Sequence, residues 1–215
     1  MIKIENVIKK NKNTTILHDI NMNIPKGKCV GLIGHNGSGK TMLLKAICGF
    51  TKIDSGTIKV KGKEIVFGKE YIKDSGVIIE HPPFINYISA WDNLKILANI
   101  NNKVEDKDIE NTLLKTGLFN DKDRKVKTFS LGMKQKLRIA QAIMEDPEIL
   151  ILDEPFNGLD RDSVANLQDI LMEFKLSGTT IVLTSHDERH IEALCDEVFI
   201  LEGGKSIEHK VLAHA

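Results

Sequence analysis

Long apolar runs are missing from this sequence of 215 residues. No stretch approaches the roughly 20 residues that a helix needs to span a bilayer, and the opening Met1-Ile2-Lys3-Ile4-Glu5 has no signal-peptide apolar core. The expectation is a soluble, intracellular chain. Excess charge of either sign is missing too: Lys and Arg number 30, Asp and Glu 30, so the formal net charge is zero. That removes the electrostatic argument for an anionic membrane surface and leads to the expectation of no nucleic-acid partner. Arginine is confined to Arg124, Arg138, Arg161 and Arg189, which leaves few groups suited to bidentate phosphate recognition. Cysteine is scarce as well. Cys29, Cys48 and Cys195 stand singly in apolar or helical surroundings without metal-ligand spacing, which argues against a disulfide framework or zinc site and predicts small core residues.

What is present has the rhythm of one α/β domain with room for an inserted lobe. Lys3–Val7, Ile16–Ile24 and Thr57–Val60 alternate as strands of an antiparallel β lobe. Cys29–Ile33 is a short apolar strand leading into a Gly-rich stretch, and Thr41–Cys48 continues as a helix that ends near Gly49. After a strand at Gly76–Ile79 the character becomes helical and polar. Ser89-Ala90-Trp91-Asp92 forms a capping box for a helix to about Ile100, and Asp108–Thr116 is a further helix stopped by Gly117. From Ile149 the core rhythm returns: strand 149–152, helix from about Ser163 to Lys175, strand Thr180–Thr184, helix Glu188–Leu194, strand Val198–Leu201. The expected fold is α/β: a P-loop core with a mixed or parallel sheet, an N-terminal antiparallel β lobe and a helical subdomain inserted at about 81–145.

The chemistry sits at the strand ends. Gly34-His35-Asn36-Gly37-Ser38-Gly39-Lys40-Thr41 has phosphate-loop spacing between a strand and a helix, the context that makes the match meaningful. Glycines let backbone N–H groups turn inward around phosphates, and the helix N-terminus adds positive potential. Lys40 is placed to reach the β- and γ-phosphates, and the Thr41 hydroxyl to ligate Mg²⁺. Asp153 ends the run Ile149-Leu150-Ile151-Leu152, putting a carboxylate at the tip of a buried strand, where it is expected to hold Mg²⁺ through water. Glu154 follows as the candidate general base. His186 lies just past another strand, able to bond the γ-phosphate or orient the attacking water. Phe129-Ser130-Leu131-Gly132-Met133-Lys134-Gln135 places a Ser and a Gly at a helix start, a second set of phosphate-reaching groups.

In this order, over nearly the whole chain, these residues resemble the nucleotide-binding subunit of ATP-binding-cassette transporters. The resemblance implies that Gly34–Thr41 is the Walker A loop, Ile149–Asp153 Walker B, Glu154 the catalytic base, Asn157–Asp160 the D-loop and His186 the switch histidine. It further implies that Ser130 and Gly132 belong to the signature motif, which contacts ATP held by a second such subunit, and that Asp160 of the D-loop is among the nucleotide-binding residues. The partners implied are a membrane permease and that second subunit, identical or related; the ligands are ATP and Mg²⁺. The alternatives are a non-transport ATPase of the same superfamily and a regulatory subunit with little turnover.

Three departures qualify the resemblance. The family usually has Gln where Glu80 follows the strand Gly76–Ile79, so Glu80 is expected to act as a Mg²⁺- and water-sensing group that couples the site to the helical lobe. Leu131 and Met133 stand where Gly and Gln are commoner, and together with Glu80 they look like the bacitracin-resistance and lantibiotic-immunity exporter branch. The family also stacks adenine on an aromatic in the β lobe, yet Lys9–Asn13 has none and the first aromatic is Phe50, which predicts weak base discrimination. Phe84, Tyr87 and Trp91 are expected to pack in the helical core, with a permease-docking groove as the competing role.

Overall fold

The computed structural model describes residues 1–12, 14–80 and 82–212. In the antiparallel sheet, β1 (Ile2–Asn11) lies between β2 (Thr14–Ile24) and β4 (Ser55–Val60), and the two-residue β5 (Lys63–Glu64) follows β4 at the edge. Alternation of buried and solvent-facing side chains is why these segments pair: Leu17, Ile20, Met22 and Ile24 of β2 point to one core. β1 runs to Asn11, beyond the apolar alternation, because Lys9, Lys10 and Asn11 pair with Leu17, Thr15 and Thr14 through backbone groups that need no apolar side chain.

The second sheet has the order β10-β9-β3-β8-β7-β6, where β3 is Cys29–Ile33, β6 Ser75–Ile78, β7 Ile149–Leu152, β8 Thr180–Thr184, β9 Glu197–Glu202 and β10 Lys205–Val211. From β9 to β6 every neighbour is parallel; β10 alone is antiparallel. Strands β7 and β8 are buried throughout, as expected of continuous aliphatic runs covered on both faces. Helix α1 (Lys40–Cys48) packs with the β lobe, while α5 (Arg161–Leu176) and α6 (Glu188–Leu194) cover the opposite face. The registers Leu32 with Thr184, Leu152 with Leu183 and Ile78 with Leu152 align the C-terminal ends of four strands. Gly34, Asp153, Ser185 and Glu80 therefore emerge along one edge.

Helices α2 (Ala90–Asn101), α3 (Asp106–Lys115) and α4 (Leu131–Ile143) enclose a cluster of their own that includes Leu94, Ile109, Leu113 and Leu137, each fully buried. The Ser89–Asp92 capping box forms as the sequence predicts. Helix α3 starts two residues earlier than expected because Glu105 and Asp108 make a second box, the Glu105 N–H donating to Asp108 Oδ2 at 2.8 Å. Phe84 and Trp91 pack against this cluster, but Tyr87 is 75% exposed, with Lys127 Nζ 5.7 Å from its ring centroid. The core expectation holds for two of the three rings.

Two strands escape the periodicity argument. β5 is too short to show a period, and β10 is an exposed edge of mostly polar residues that follows the Gly203-Gly204 hairpin turn, both glycines at positive φ. All three cysteines are buried, as expected. Cys29 Sγ and Cys195 Sγ meet at 3.4 Å, and burial pushes the Cys48 thiol up to about 12.

Candidate active site

The loop after β3 depends on glycine at two points. At Gly34, φ is +155° and a Cβ would stand 2.2 Å from the Leu201 carbonyl oxygen. Gly39 caps α1 in the left-handed conformation without any side-chain cap, so the first N–H groups of the helix keep their donor capacity for a ligand. Lys40, only 7% exposed, folds its ammonium onto the Gly34 and His35 carbonyl oxygens at 2.6 and 3.3 Å. Ser38 Oγ is buried and lacks a hydrogen-bond partner.

Across the sheet edge, the Thr41 hydroxyl donates to Asp153 Oδ2 at 2.8 Å. Asp153 Oδ1 accepts from the Thr184 hydroxyl at 2.9 Å, and Thr184 Oγ1 in turn accepts from the Glu154 N–H at 2.8 Å. One buried hydroxyl thus ties both acidic residues to β8. Glu154 has φ +49°, and its side chain is 17% exposed. Burial lifts its carboxyl above the usual carboxylate range, against the opposing pull of His186 and Lys40. His186 Nε2 stands 3.0 Å from Glu154 Oε1, an ion-pair distance, but Oε1 has no aligned hydrogen-bond donor. Glu80, at φ +59°, is paired with Lys45 at 2.5 Å.

A cavity of about 410 Å³ brings together Asn36 through Thr41, Glu80, Asp153, Glu154 and His186. Gly34 and His35 line an adjoining recess that His186 shares. Ser130, Gly132 and Asp160 do not line either space. Ser130 instead caps α4, its side chain accepting from the Met133 N–H at 3.2 Å, and Asp160 caps α5 by accepting from the Ser163 N–H at 2.8 Å. That bond, with help from the Ser163 hydroxyl, holds the Asp160 carboxyl below its usual range. On the β-lobe side the cavity wall carries Ile16, with Met42 of α1 also lining the cavity, rather than an aromatic ring. Lys9–Lys12 supply no ring, and Asn13 lies outside the described residues.

Sequence reasoning missed Thr184 and Lys45. Lys45 sits one helical turn beyond Thr41, so its i,i+4 spacing on α1 was a usable signal. Thr184 carried no local signal beyond ending a strand.

A glycine loop joining a parallel strand to a helix, with a hydroxyl–carboxylate pair and a second acidic residue at the neighbouring strand ends, defines a P-loop nucleoside-triphosphate-binding protein. A profile of the family described as ABC transporter matches residues 17–157, and the chain belongs to that family. It is 44% identical to an uncharacterized ABC transporter ATP-binding protein, YybJ, of Bacillus subtilis (strain 168), over 95% of this chain and 94% of that one. It is 42% identical to the lantibiotic transport ATP-binding protein SrtF of Streptococcus pyogenes, covering 98% and 90%, and 38% identical to the bacitracin transport ATP-binding protein BcrA of Enterococcus faecalis, covering 97% and 68%. A solved structure described as the ATP binding subunit of an ABC transporter superposes with a TM-score of 0.89 at 28% identity, covering 99% of this chain and 90% of that one. The resemblance to the bacitracin and lantibiotic branch drawn from Glu80, Leu131 and Met133 agrees with these relatives. Among the described residues no helix is long and apolar enough to cross a membrane.

Proposed function

We propose that this chain is the ATP-hydrolysing subunit of an exporter of a drug or antimicrobial peptide, working on the cytoplasmic face of the membrane beneath a separate permease. In this reading residues 1–215 form one ATP-binding domain, with about 81–145 as its helical insert, and two subunits close around two ATP molecules. The observation that carries it is the gathering of Lys40, Thr41, Asp153, Glu154 and His186 in one cavity, on a chain 42% identical to a lantibiotic transport ATP-binding protein.

The phosphates rest on the N–H groups of the loop and of the first turn of α1, with the Lys40 ammonium on the β- and γ-phosphates. Ser38 Oγ, buried without a partner, supports this assignment, since a phosphate oxygen would satisfy it. Thr41 and Asp153 offer hydroxyl and carboxylate oxygens 2.8 Å apart, a donor set suited to Mg²⁺, with Glu80 as an outer ligand. When bound, Mg²⁺ supplies positive charge to the β- and γ-phosphate oxygens. Ionised Glu154 takes the proton of the water whose oxygen attacks the γ-phosphorus, ADP leaves, and His186 orients the water and the γ-phosphate. Ser130 and Gly132 at the start of α4, with Asp160 two residues beyond the Gly158 that Gly132 closely approaches, face the second subunit's nucleotide, so the complete site exists in the closed dimer alone. Hydrolysis removes the bridging phosphate and loosens the pair.

A bare carboxylate at position 80 would repel the γ-phosphate, but the Lys45 ammonium pairs with Glu80 at 2.5 Å. Glu80→Gln is expected to raise the Mg²⁺ concentration for half-maximal turnover by several-fold; unchanged Mg²⁺ dependence and unchanged transport coupling would sink the assignment. With Ile16 and Met42 in place of an aromatic platform worth about 1–3 kcal/mol, ATP and GTP are expected to bind with similar affinity in a direct titration. A large ATP preference would count against it. The transport role is tested by affinity isolation from solubilised membranes: a co-purifying permease whose peptide-antibiotic resistance is lost with Lys40→Ala supports it, and isolation of the chain without any membrane protein, with resistance untouched, overturns it.

A further inference from the structure

The inner face of α4 carries two buried polar side chains that the nucleotide site does not use. Gln135 is 5% exposed and Arg138, three residues on, 7%. Arg138 Nη1 donates to Gln135 Oε1 at 3.0 Å, and Gln135 Nε2 donates to the Pro155 carbonyl oxygen at 2.8 Å. This chain of bonds has one possible sense. A guanidinium only donates and a proline carbonyl only accepts, so the amide between them cannot be flipped. Arg138 Nε is buried without a hydrogen-bond partner, and among the described residues no carboxylate forms an ion pair with the guanidinium. A buried charge held for a neutral amide is a poor device for stability alone, because its desolvation is not offset by an opposite charge.

Its position suggests what it is for. Pro155 directly follows Glu154, whose backbone is at φ +49°. On the strand side the Glu154 N–H is anchored to Thr184 Oγ1; on the far side the carbonyl of the following residue, Pro155, is anchored to Gln135. The catalytic residue is therefore gripped between β8 and α4. A second contact joins the same two segments: a Cβ on Gly132 would lie 2.9 Å from the Gly158 carbonyl oxygen, and one on Gly158 3.0 Å from the Leu131 side chain. The first turn of α4 thus rests on the segment that follows Glu154.

We infer that Gln135 and Arg138 are positioning residues that hold the Pro155 carbonyl, one residue beyond Glu154, making α4 a lever by which the occupancy of its N-terminal Ser130–Gly132 end sets the aim of the chain's own catalytic carboxylate. This rests on the reading that Glu154 is the general base and that Ser130 and Gly132 meet the second subunit's nucleotide. A displacement of the base by a fraction of an ångström is enough to matter, since catalytic geometry tolerates little error.

The discriminating variant is Gln135→Glu. A carboxylate there satisfies Arg138 but presents an oxygen to the Pro155 carbonyl, so the grip is lost while the buried guanidinium gains a partner. Steady-state ATPase assays are expected to give a kcat lower by about ten- to a hundredfold with KM and ATP affinity unchanged. Thermal unfolding is expected to show an intact fold. The double variant Gln135→Leu/Arg138→Met removes both polar groups with similar volume, and the same kcat loss is expected from it, which keeps the test open should the first variant fold poorly. Wild-type kcat in either folded variant overturns the lever. Glu154→Gln is measured alongside: if it retains full turnover, the reading of Glu154 has failed, whereas an inactive Glu154→Gln beside a fully active Gln135→Glu overturns the positioning role alone.

Discussion

Glu154→Gln is expected to lower ATP turnover by about 10²- to 10⁴-fold, the range for loss of a general base, while leaving nucleotide affinity nearly intact. The amide keeps the shape of the side chain and its place beside His186 but cannot accept the water's proton. Phosphate release and a nucleotide-binding titration on the same preparation separate the two effects; equal losses in both would point to a collapsed site instead. The carboxyl's environment adds a stability signature. Burial raises the pKa of Glu154 in the folded chain, so its ionised form costs stability at pH values above that raised pKa, and the cost disappears as pH falls below the unfolded value of about 4.3. The glutamine variant should therefore melt higher than the parent at neutral pH, with the gap closing on acidification. For the parent, turnover needs the ionised base, so the acidic limb of its pH–rate profile should lie above the range of an ordinary glutamate. A melting difference that grows at low pH would contradict the assignment.

Gly76→Ala is expected to be the most damaging small change to the fold. Gly76 lies in β6 beneath α4, and a Cβ there would stand 1.9 Å from the Ala142 carbonyl oxygen and 2.7 Å from its carbon, with a Leu150 methyl at 2.8 Å. The first two are backbone atoms of a helix and cannot rotate aside. Overpacking a core usually costs about 1–3 kcal/mol, and a backbone neighbour places this case at the upper end or beyond. Urea denaturation should show the midpoint falling with little change in slope. Because α4 must move to admit the methyl, and Gln135 of that helix holds the Pro155 carbonyl, kcat should fall even where the variant is fully folded. Stability loss below about 0.5 kcal/mol would mean that α4 and β6 are less closely fitted than the distances indicate.

Much of this molecule was legible before folding, for reasons that differ from residue to residue. Lys40 and Thr41 were readable because a phosphate loop is contiguous: the glycines, the ammonium and the hydroxyl must lie within one turn between a strand and a helix, so their spacing in the chain is their geometry. Asp153 and Glu154 were readable because a carboxylate after four aliphatic residues ends a buried strand. The capping box at Ser89 and Asp92 is likewise a local bond. β10 was not readable, since an exposed edge strand carries no apolar period and is made by its ladder to β9. Thr184 gave no sign of linking Asp153 to Glu154, because that link arrives through the register of the parallel sheet; Lys45 could be placed beside Thr41 on α1 by its spacing, but its partner Glu80 is distant in sequence and is brought to it only by the packing of α1 near the end of β6.

The sequence by itself determined the chemistry on offer: a loop built for phosphate, oxygen donors for a divalent ion, a candidate base, and a Ser–Gly pair at a later helix start. Those depend on residue type and short-range spacing, which the chain carries along its length. The tertiary structure alone decided how the pieces are joined. It aligned four strand ends at one edge, turned Glu154 into a partly buried carboxyl with a raised pKa, and set Gln135 against the carbonyl of the following residue, Pro155. The physical reason is that burial, hydrogen-bond sense and backbone approach are properties of pairs of segments, and no window along the sequence contains both members.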